Sequence, residues 1–288
     1  MARWWIAAVS LALLAPLARA ESPAPVVPDP AAVARHLAEA RAVSDADGGR
    51  LWGRPLYGPL IFVDQETRRV LANQADAQGR LTPTAGGLFA GALTDEVVAA
   101  NTTTTWSGVR WTMLLLPMPD GADDRREMLA HEMWHRVQDG LGFPLTNALP
   151  RHLGELQGRF WLRLEWRALA AALRASGPER RGAAADALVF RARRRALYGA
   201  EAAEIERTLE MNEGLAQYTG VKLGQSDPRA AALRWAETVE GVPSYVRSFA
   251  YASGPLYGLL LDDAAPAWRT GLTAKDDLGA RLGAALGL

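Results

Sequence analysis

The segment from His131 to His135, which reads His-Glu-Met-Trp-His, constrains the fold of this chain most strongly. Residues four apart on an α-helix lie on one face, so the imidazoles of His131 and His135 can bind the same metal ion. Glu132 lies about 100° further round the turn and can reach a water molecule beside that ion. The pattern indicates a zinc site with its own general base. The alternative is an ordinary helix face that carries two histidines.

The residues around this segment favour the helix that the pattern requires. Asp120, Asp123 and Asp124 offer N-cap side chains and negative charge for a first turn. Apolar residues follow at helical spacing. Two glycines and a proline within 140–144 then favour an end to the helix.

The first twenty residues have the pattern of a secretory signal peptide. Arg3 gives a positive start, 6–14 is an apolar run too short to span a membrane comfortably, and Ala18-Arg19-Ala20 matches the cleavage pattern. An uncleaved anchor is the alternative. Residues 21–30 form a proline-rich leader. We therefore expect an exported bacterial protein, periplasmic or extracellular, with no stable membrane insertion after cleavage of 1–20.

The composition excludes several classes of site. The chain has no cysteine, which rules out disulfides, a thiol nucleophile and cysteine metal ligands. Its formal net charge is zero, so no electrostatic argument favours nucleic acid as a partner. A metal site in this chain must therefore use histidine and carboxylate ligands.

The hydrophobic pattern changes character along the chain and predicts an α+β fold. Residues 31–288 are expected to form one domain, with a β-rich lobe at 31–120 and a helical lobe at 121–288. A helix is predicted over Pro30–Val43. The expected strands of two antiparallel hairpins are Pro59–Val63, Arg69–Asn73, Glu96–Thr105 and Val109–Leu116. The expected later helices are Leu153–Ser176, Ala183–Leu197, Glu201–Val221 with a local interruption at Asn212–Gly214, Pro228–Val239, Tyr245–Leu261 and Lys275–Leu286.

An arginine-rich run, Arg191–Arg195, lies within one of these predicted helices. A solvated helix face is the expected role of such a run, and a binding patch is the alternative.

Two histidines do not complete a catalytic zinc site, which ordinarily has three protein ligands and one water position. With no cysteine in the chain, a carboxylate or His152 must supply the third ligand. Glu213 is the favoured candidate, because Gly214 beside it would let its helix approach the histidine helix closely. Glu165 is the alternative, although it could equally pair with Arg163 or Arg167, or hold a ligand histidine in place through a hydrogen bond.

His131-Glu-x-x-His135 together with Asn212-Glu-Gly-Leu-Ala-Gln-Tyr218 resembles the gluzincin metallopeptidases. The residue pattern of the second segment is most similar to that of their aminopeptidase-like branch, which has a thermolysin-type catalytic domain. The resemblance implies a zincin-like fold, a Zn²⁺ ion held by His131, His135 and Glu213, and Glu132 as general base. In that branch the glutamate follows the second histidine much sooner, whereas 77 residues lie between His135 and Glu213 here. The difference implies an inserted helical pair and keeps Glu165 as an alternative ligand.

The later segment Tyr251-Ala-Ser-Gly254 extends the resemblance. In the aminopeptidase-like branch, a tyrosine three residues before a glycine stabilises the oxyanion, which implies that role for Tyr251. An ordinary core tyrosine is an alternative reading of Tyr251. Tyr245, Tyr257 and His152 are alternative oxyanion donors. The motif with which that branch binds a substrate amino terminus is not evident, so exopeptidase activity is not expected.

Taken together, these patterns predict a secreted zinc metallopeptidase that acts on a peptide or protein substrate. Two alternatives remain open at the level of sequence. One is a zinc hydrolase acting on a non-peptide bond, which would use the same metal chemistry. The other is a zincin-fold binding protein that does not turn over a substrate.

Overall fold

The computed structural model describes residues 28–288 of the chain. The predicted signal peptide at 1–20 and most of the predicted leader at 21–30 lie outside the described residues. The described chain divides into two compact units. The first comprises 28–42 and Tyr57–Asp120, and the second comprises Val43–Leu56 and Gly121–Leu288.

Helix α1, Pro30–Asp47, is the first element. The carboxylate of Asp29 caps it and accepts a hydrogen bond from the Ala31 amide at 2.9 Å. The helix continues beyond the predicted end at Val43. It stops where Gly48 adopts a left-handed conformation, with φ of 58°.

Six strands of the first unit form one sheet. They are β1 (Leu60–Asp64), β2 (Arg69–Ala72), β3 (Thr82–Pro83), β4 (Phe89–Ala92), β5 (Thr102–Trp106) and β6 (Val109–Leu116). Their order across the sheet is β3-β4-β2-β1-β6-β5. The expected combination of sheet and helices is confirmed at this level.

The sheet is mixed, so the expectation of an N-terminal antiparallel sheet built from the two hairpins is wrong. β1 and β6 run parallel, with Leu60 opposite Thr112 and Asp64 opposite Leu116. Every residue of β1 is buried, which is typical of a central strand with neighbours on both sides. The two hairpins therefore lie side by side. Alternation along a strand reveals which residues face the core but carries no information about the direction of a distant neighbour.

Both predicted hairpins are present. β1 pairs with β2 through Ile61 and Ala72. β5 pairs with β6 through Trp106 and Val109, across a turn in which Ser107 and Gly108 both have positive φ, the geometry favoured for two-residue hairpins. β5 begins later than predicted, because residues 96–101 form turns.

The second unit is helical after residue 121. Its helices are α2 (Ala122–Val137), α3 (Leu156–Arg174), α4 (Gly177–Leu209), α5 (Leu215–Gly224), α6 (Pro228–Val239), α7 (Ser248–Ala264) and α8 (Leu278–Leu286). α6 has the predicted bounds. Across residues 28–288, no helix has the length and apolar character needed to cross a membrane.

A π-helical turn, Glu210–Gly214, joins α4 to α5. It lies where the sequence predicted a local interruption of the helix. Within α4, Gly199 has φ of 84° and breaks the regular geometry between the two helices predicted for this region. π-helical turns occur frequently at functional sites, because they shift side chains out of the regular helical register.

Glycines allow three helices to approach one another closely. A Cβ atom on Gly220 of α5 would lie 2.7 Å from the carbonyl oxygen of Glu127 on α2, and one on Gly254 of α7 would lie 2.1 Å from the carbonyl oxygen of Gly214. Gly214 therefore faces α7. Its predicted role, an approach to the histidine helix, is wrong, since Gly220 makes that approach one and a half turns later.

Trp52 contacts both α2 and α5. Its ring lies 5.7 Å from the ring of Trp134, and its indole N–H donates to the Thr219 hydroxyl at 2.8 Å. With the indole donor satisfied, the ring can be buried without leaving a polar group unpaired. The contact fixes the spacing of the helices that carry the candidate ligands.

Two arginines of the arginine-rich run, Arg191 and Arg194, are buried, whereas Arg193 is exposed. The prediction of a solvated helix face is therefore wrong for the buried pair. Arg194 is fully buried and donates to Glu165 and to Glu206. Arg191, also buried, donates to Glu165 at 3.1 Å and to Glu210 at 2.9 Å. A buried charge is tolerated when it is paired and hydrogen-bonded, which each of these arginines is.

Candidate metal centre

Helix α2 presents both histidines on one buried face, as the spacing predicts. His131, Glu132 and His135 are each at least 94% buried. The Nε2 atoms of the two imidazoles lie 3.0 Å apart. The helix begins after Gly121, which caps it without a side-chain hydrogen bond, so Asp120 is not the N-cap residue.

Glu213, in the π-helical turn, brings its carboxylate to the two histidines. Its Oε2 lies 3.6 Å from Nε2 of His131 and 3.5 Å from Nε2 of His135. Tetrahedral coordination with bonds of about 2.0–2.1 Å places ligand atoms roughly 3.3 Å apart. The three atoms therefore fit around one metal ion. Within residues 28–288, His131, His135 and Glu213 are the one group of three such side chains whose ligand atoms lie close enough together to hold a metal ion.

The structure places Glu165 elsewhere. One of its oxygens accepts from Tyr257 at 2.7 Å and from Arg191 at 3.1 Å, and the other accepts from Arg194. Its full burial is matched by these donors. Glu165 thus belongs to the buried arginine network. The expected alternative pair with Arg163 or Arg167 is wrong, because both of those arginines donate to Glu240.

Two glutamines orient the imidazoles from behind. Nδ1 of His131 donates to Oε1 of Gln217 at 2.9 Å, and Nδ1 of His135 donates to Oε1 of Gln138 at 2.6 Å. A partner on the far nitrogen fixes the tautomer and leaves Nε2 as the ligand atom. The amide of Gln138 then donates to Oδ1 of Asn212 at 2.8 Å, beside the third ligand.

Neither glutamine was predicted as a site residue from the sequence. Gln138 is three residues after His135, so the two share a helix face, and Gln217 is four residues after Glu213. That spacing was a usable signal. Gln217 also donates to the partly buried carboxylate of Glu127 at 2.5 Å, a contact that sequence spacing does not reveal.

The side chains of the triad shift one another's pKa values. Burial acts to lower the pKa of His135, but the hydrogen bond and negative charge of Glu213 overcome it and raise that pKa to about 9. Burial acts to raise the pKa of Glu213, while hydrogen bonds from His131 and His135 hold it well below its usual value. The carboxylate is therefore ionised and ready to bind a cation.

Glu132 has the geometry expected of a base beside the triad. Its Oε1 lies 4.0 Å from Nε2 of His131, and its Oε2 is buried with no hydrogen-bond partner among residues 28–288. Burial raises the pKa of Glu132, opposed by the charges of His131 and His135. A buried carboxylate oxygen without a donor is costly and calls for a partner such as a water molecule.

Tyr251, on α7, lies against the same triad. Its hydroxyl donates to Oε2 of Glu213 at 2.7 Å, and its ring stacks on the His131 ring at 5.5 Å between centroids and 12° between planes. Burial, reinforced by the charge of Glu213, raises the pKa of Tyr251 well above its usual value. The phenol therefore stays protonated and can donate.

The alternative oxyanion donors have partners of their own. The Tyr245 hydroxyl donates to the carbonyl oxygen of Glu240 at 2.7 Å, and that of Tyr257 donates to Glu165. His152 lies 2.8 Å from the Glu206 carboxylate. These contacts place the three side chains in other hydrogen-bonded groups.

Arg247 was not anticipated from the sequence. Its Nη2 donates to Oε1 of Glu213 at 3.4 Å, and 44% of its side chain is exposed. It stands one turn before Tyr251, just ahead of α7. The candidate centre thus carries a partly exposed cation beside the carboxylate ligand.

We compared the chain with models of known protein families, with curated proteins and with solved structures, and none of them matches.

Proposed function

We propose that this chain is a zinc metallopeptidase of the gluzincin type, with a zincin-like catalytic domain and a peptide or protein substrate. One observation carries the proposal. The Nε2 atoms of the two histidines and Oε2 of Glu213 lie 3.0–3.6 Å from one another, and beside them Oε2 of Glu132 has no hydrogen-bond partner among residues 28–288. Two histidines and a glutamate form one of the donor sets of catalytic zinc, which keeps a fourth position open. The signal peptide pattern supports action outside the cytoplasm.

Each residue of the centre has a defined task in this proposal. His131, His135 and Glu213 would hold a zinc ion, which would supply Lewis-acid polarisation of the scissile carbonyl and lower the pKa of a bound water molecule. Glu132 accepts the proton of the attacking water and passes it to the leaving amine. The Tyr251 hydroxyl would turn its single O–H from Glu213 to the oxyanion that develops on the carbonyl oxygen. Gln138 and Gln217 keep the imidazoles in the tautomer that binds the metal.

The test combines metal content with turnover of a quenched-fluorescence peptide library. The purified wild type is expected to hold about one zinc ion per chain. Glu132→Gln should retain that zinc and lose peptide hydrolysis by about 10²–10⁴-fold, because only the base is removed. Glu237→Gln, at an exposed glutamate of α6, is the matched control and should keep wild-type activity.

Three outcomes would contradict parts of this proposal. A wild type that binds no zinc overturns the metallopeptidase assignment. Equal activity of wild type and Glu132→Gln shows that Glu132 is not the base. Hydrolysis of ester or non-peptide amide substrates without any peptide cleavage assigns the zinc chemistry to another bond.

A further inference from the structure

Most of the hydrogen-bonding capacity of Arg247 is unused within the described chain. A guanidinium carries five N–H donors in a planar fork. Arg247 uses one of them, in the 3.4 Å bond to Glu213, and makes no other hydrogen bond to residues 28–288. With 44% of the side chain exposed, the remaining donors are accessible from solvent beside the candidate metal centre.

Glu213 does not depend on Arg247 for its partners. Its Oε2 accepts from Tyr251 at 2.7 Å and faces both histidines, and its Oε1 lies 3.4 Å from the side-chain amide of Asn212. The bonds from Arg247 and Asn212 to Oε1 are both 3.4 Å, at the long end of the hydrogen-bond range, so neither holds this oxygen tightly. The shorter bond from Tyr251 positions the carboxylate through Oε2. Holding the ligand in place is thus a poor explanation for a cation at this position.

Charge balance points to a partner from outside the chain. A divalent ion in the triad would be balanced by the two carboxylates of Glu132 and Glu213. Arg247 would then be an uncompensated positive charge beside the reaction site. An arginine fork matches a carboxylate group in both charge and shape, because two parallel N–H donors face its two oxygens.

We infer that Arg247 binds a carboxylate of the substrate and makes the enzyme prefer peptides with a negative charge close to the cleaved bond. The carboxylate can be the carboxyl terminus of a peptide that ends close to the cleaved bond, or it can be an acidic side chain beside that bond. Both present the same group to the guanidinium. This inference rests on the proposed peptidase function and specifies the substrate class of the same site.

The experiment uses zinc-loaded full-length chain and two matched pairs of peptides. One pair differs only in a free or amidated carboxyl terminus near the cleaved bond, and the other differs only in Glu against Gln beside it. For at least one pair, the wild type should show a kcat/KM ratio of acid to neutral peptide of about tenfold or more. The pair that responds identifies the source of the carboxylate.

Variants at Arg247 assign the preference to this side chain. Arg247→Gln should bring the ratio to about one, and Arg247→Lys should retain part of it, because the charge remains without the fork. Arg174→Gln is the matched control, at an exposed arginine of α3 that pairs with Glu237 at 2.6 Å. It should leave the wild-type ratio in place.

Three outcomes separate this inference from its alternatives. A wild-type ratio near one overturns it. So does an unchanged ratio in Arg247→Gln together with altered zinc affinity, which would show that Arg247 only orients Glu213. If the zinc-loaded wild type cleaves no peptide, the proposed function fails, and fluorescence anisotropy with the same labelled peptides decides the inference. A binding preference for the acid that Arg247→Gln abolishes supports it, and equal binding overturns it.

Discussion

Two buried groups of charged side chains lie in the helical unit, and they differ in how their charge is compensated. In the arginine network, the carboxylates of Glu165, Glu206 and Glu210 each receive hydrogen bonds from Arg191 or Arg194. In the candidate metal centre, the neighbours of the carboxylates are imidazoles, a phenol and neutral amides, and the arginine is at the edge. The carboxylates of the network are paired with arginines, whereas in the centre His131, His135 and Glu213 are grouped so that they could hold a metal ion.

The π-helical turn shows this difference within five residues. Glu210 opens the turn and faces Arg191, which donates to both of its oxygens at 2.9 and 2.5 Å. Glu213, three residues later, faces the two histidines. Two glutamates on one turn therefore have opposite environments. A carboxylate bound by a buried arginine has a structural role, whereas one that faces imidazoles at the spacing of metal ligands is a candidate ligand.

The largest expected effect comes from breaking the network. Arg194→Met should destabilise the protein by about 3–5 kcal/mol, because it leaves Glu165 and Glu206 buried with too few positive charges. Urea unfolding followed by circular dichroism measures the change. Arg193→Met, at an exposed position of the same helix, should alter stability by at most about 0.5 kcal/mol. A loss below about 1 kcal/mol in Arg194→Met would contradict the structural role.

Removing each of the two candidate carboxylates in turn tests the comparison directly. Glu213→Ala should lose zinc binding by about 100-fold or more while the metal-free chain stays folded, since it removes a ligand and no ion pair with a buried arginine. Glu165→Ala should bind zinc but unfold at lower urea concentration, because Arg191 and Arg194 lose a shared acceptor. Zinc titration against a competing chelator and urea unfolding, run on both variants, give the two readouts. The opposite pattern would reassign the third ligand to Glu165.

The smallest effect is a pH dependence of zinc affinity. Since the pKa of His135 is raised to about 9 in the metal-free centre, this imidazole is protonated at neutral pH and zinc must displace that proton. Affinity should therefore rise by about tenfold per pH unit between roughly pH 7 and 9 and level off above. Chelator competition at fixed ionic strength measures it. Affinity that does not change over this range would show that His135 is already neutral.

Much of the centre could be predicted from the sequence, because its key contacts are local. Residues four apart on a helix share a face wherever the helix lies, so His131 and His135 had to converge. Glu213 and Tyr251 followed from a resemblance that spans short segments. The hairpin between Trp106 and Val109 was visible for the same reason, since two short strands and their turn are close in the chain.

Other features could not be read from the sequence, because they depend on distant partners. Whether Arg191 and Arg194 face solvent or carboxylates depends on how α3 and α4 pack, and helical spacing is compatible with both. The parallel pairing of β1 with β6 depends on which sheet edge the second hairpin joins. Gly214 was expected to meet the histidine helix and meets α7, because either neighbour would favour a residue without a side chain.

The sequence by itself determined a helix with two histidines and a glutamate, a chain without cysteine ligands, and a short set of candidates for the third ligand. Those are properties of spacing and composition. Only the tertiary structure decided which carboxylate reaches the histidines, which glutamines stand behind them, and that Arg247 lies at their edge. The physical reason is that burial and pairing of charge are settled by side chains dozens of residues apart, such as Glu165 and Arg191, once the helices pack together.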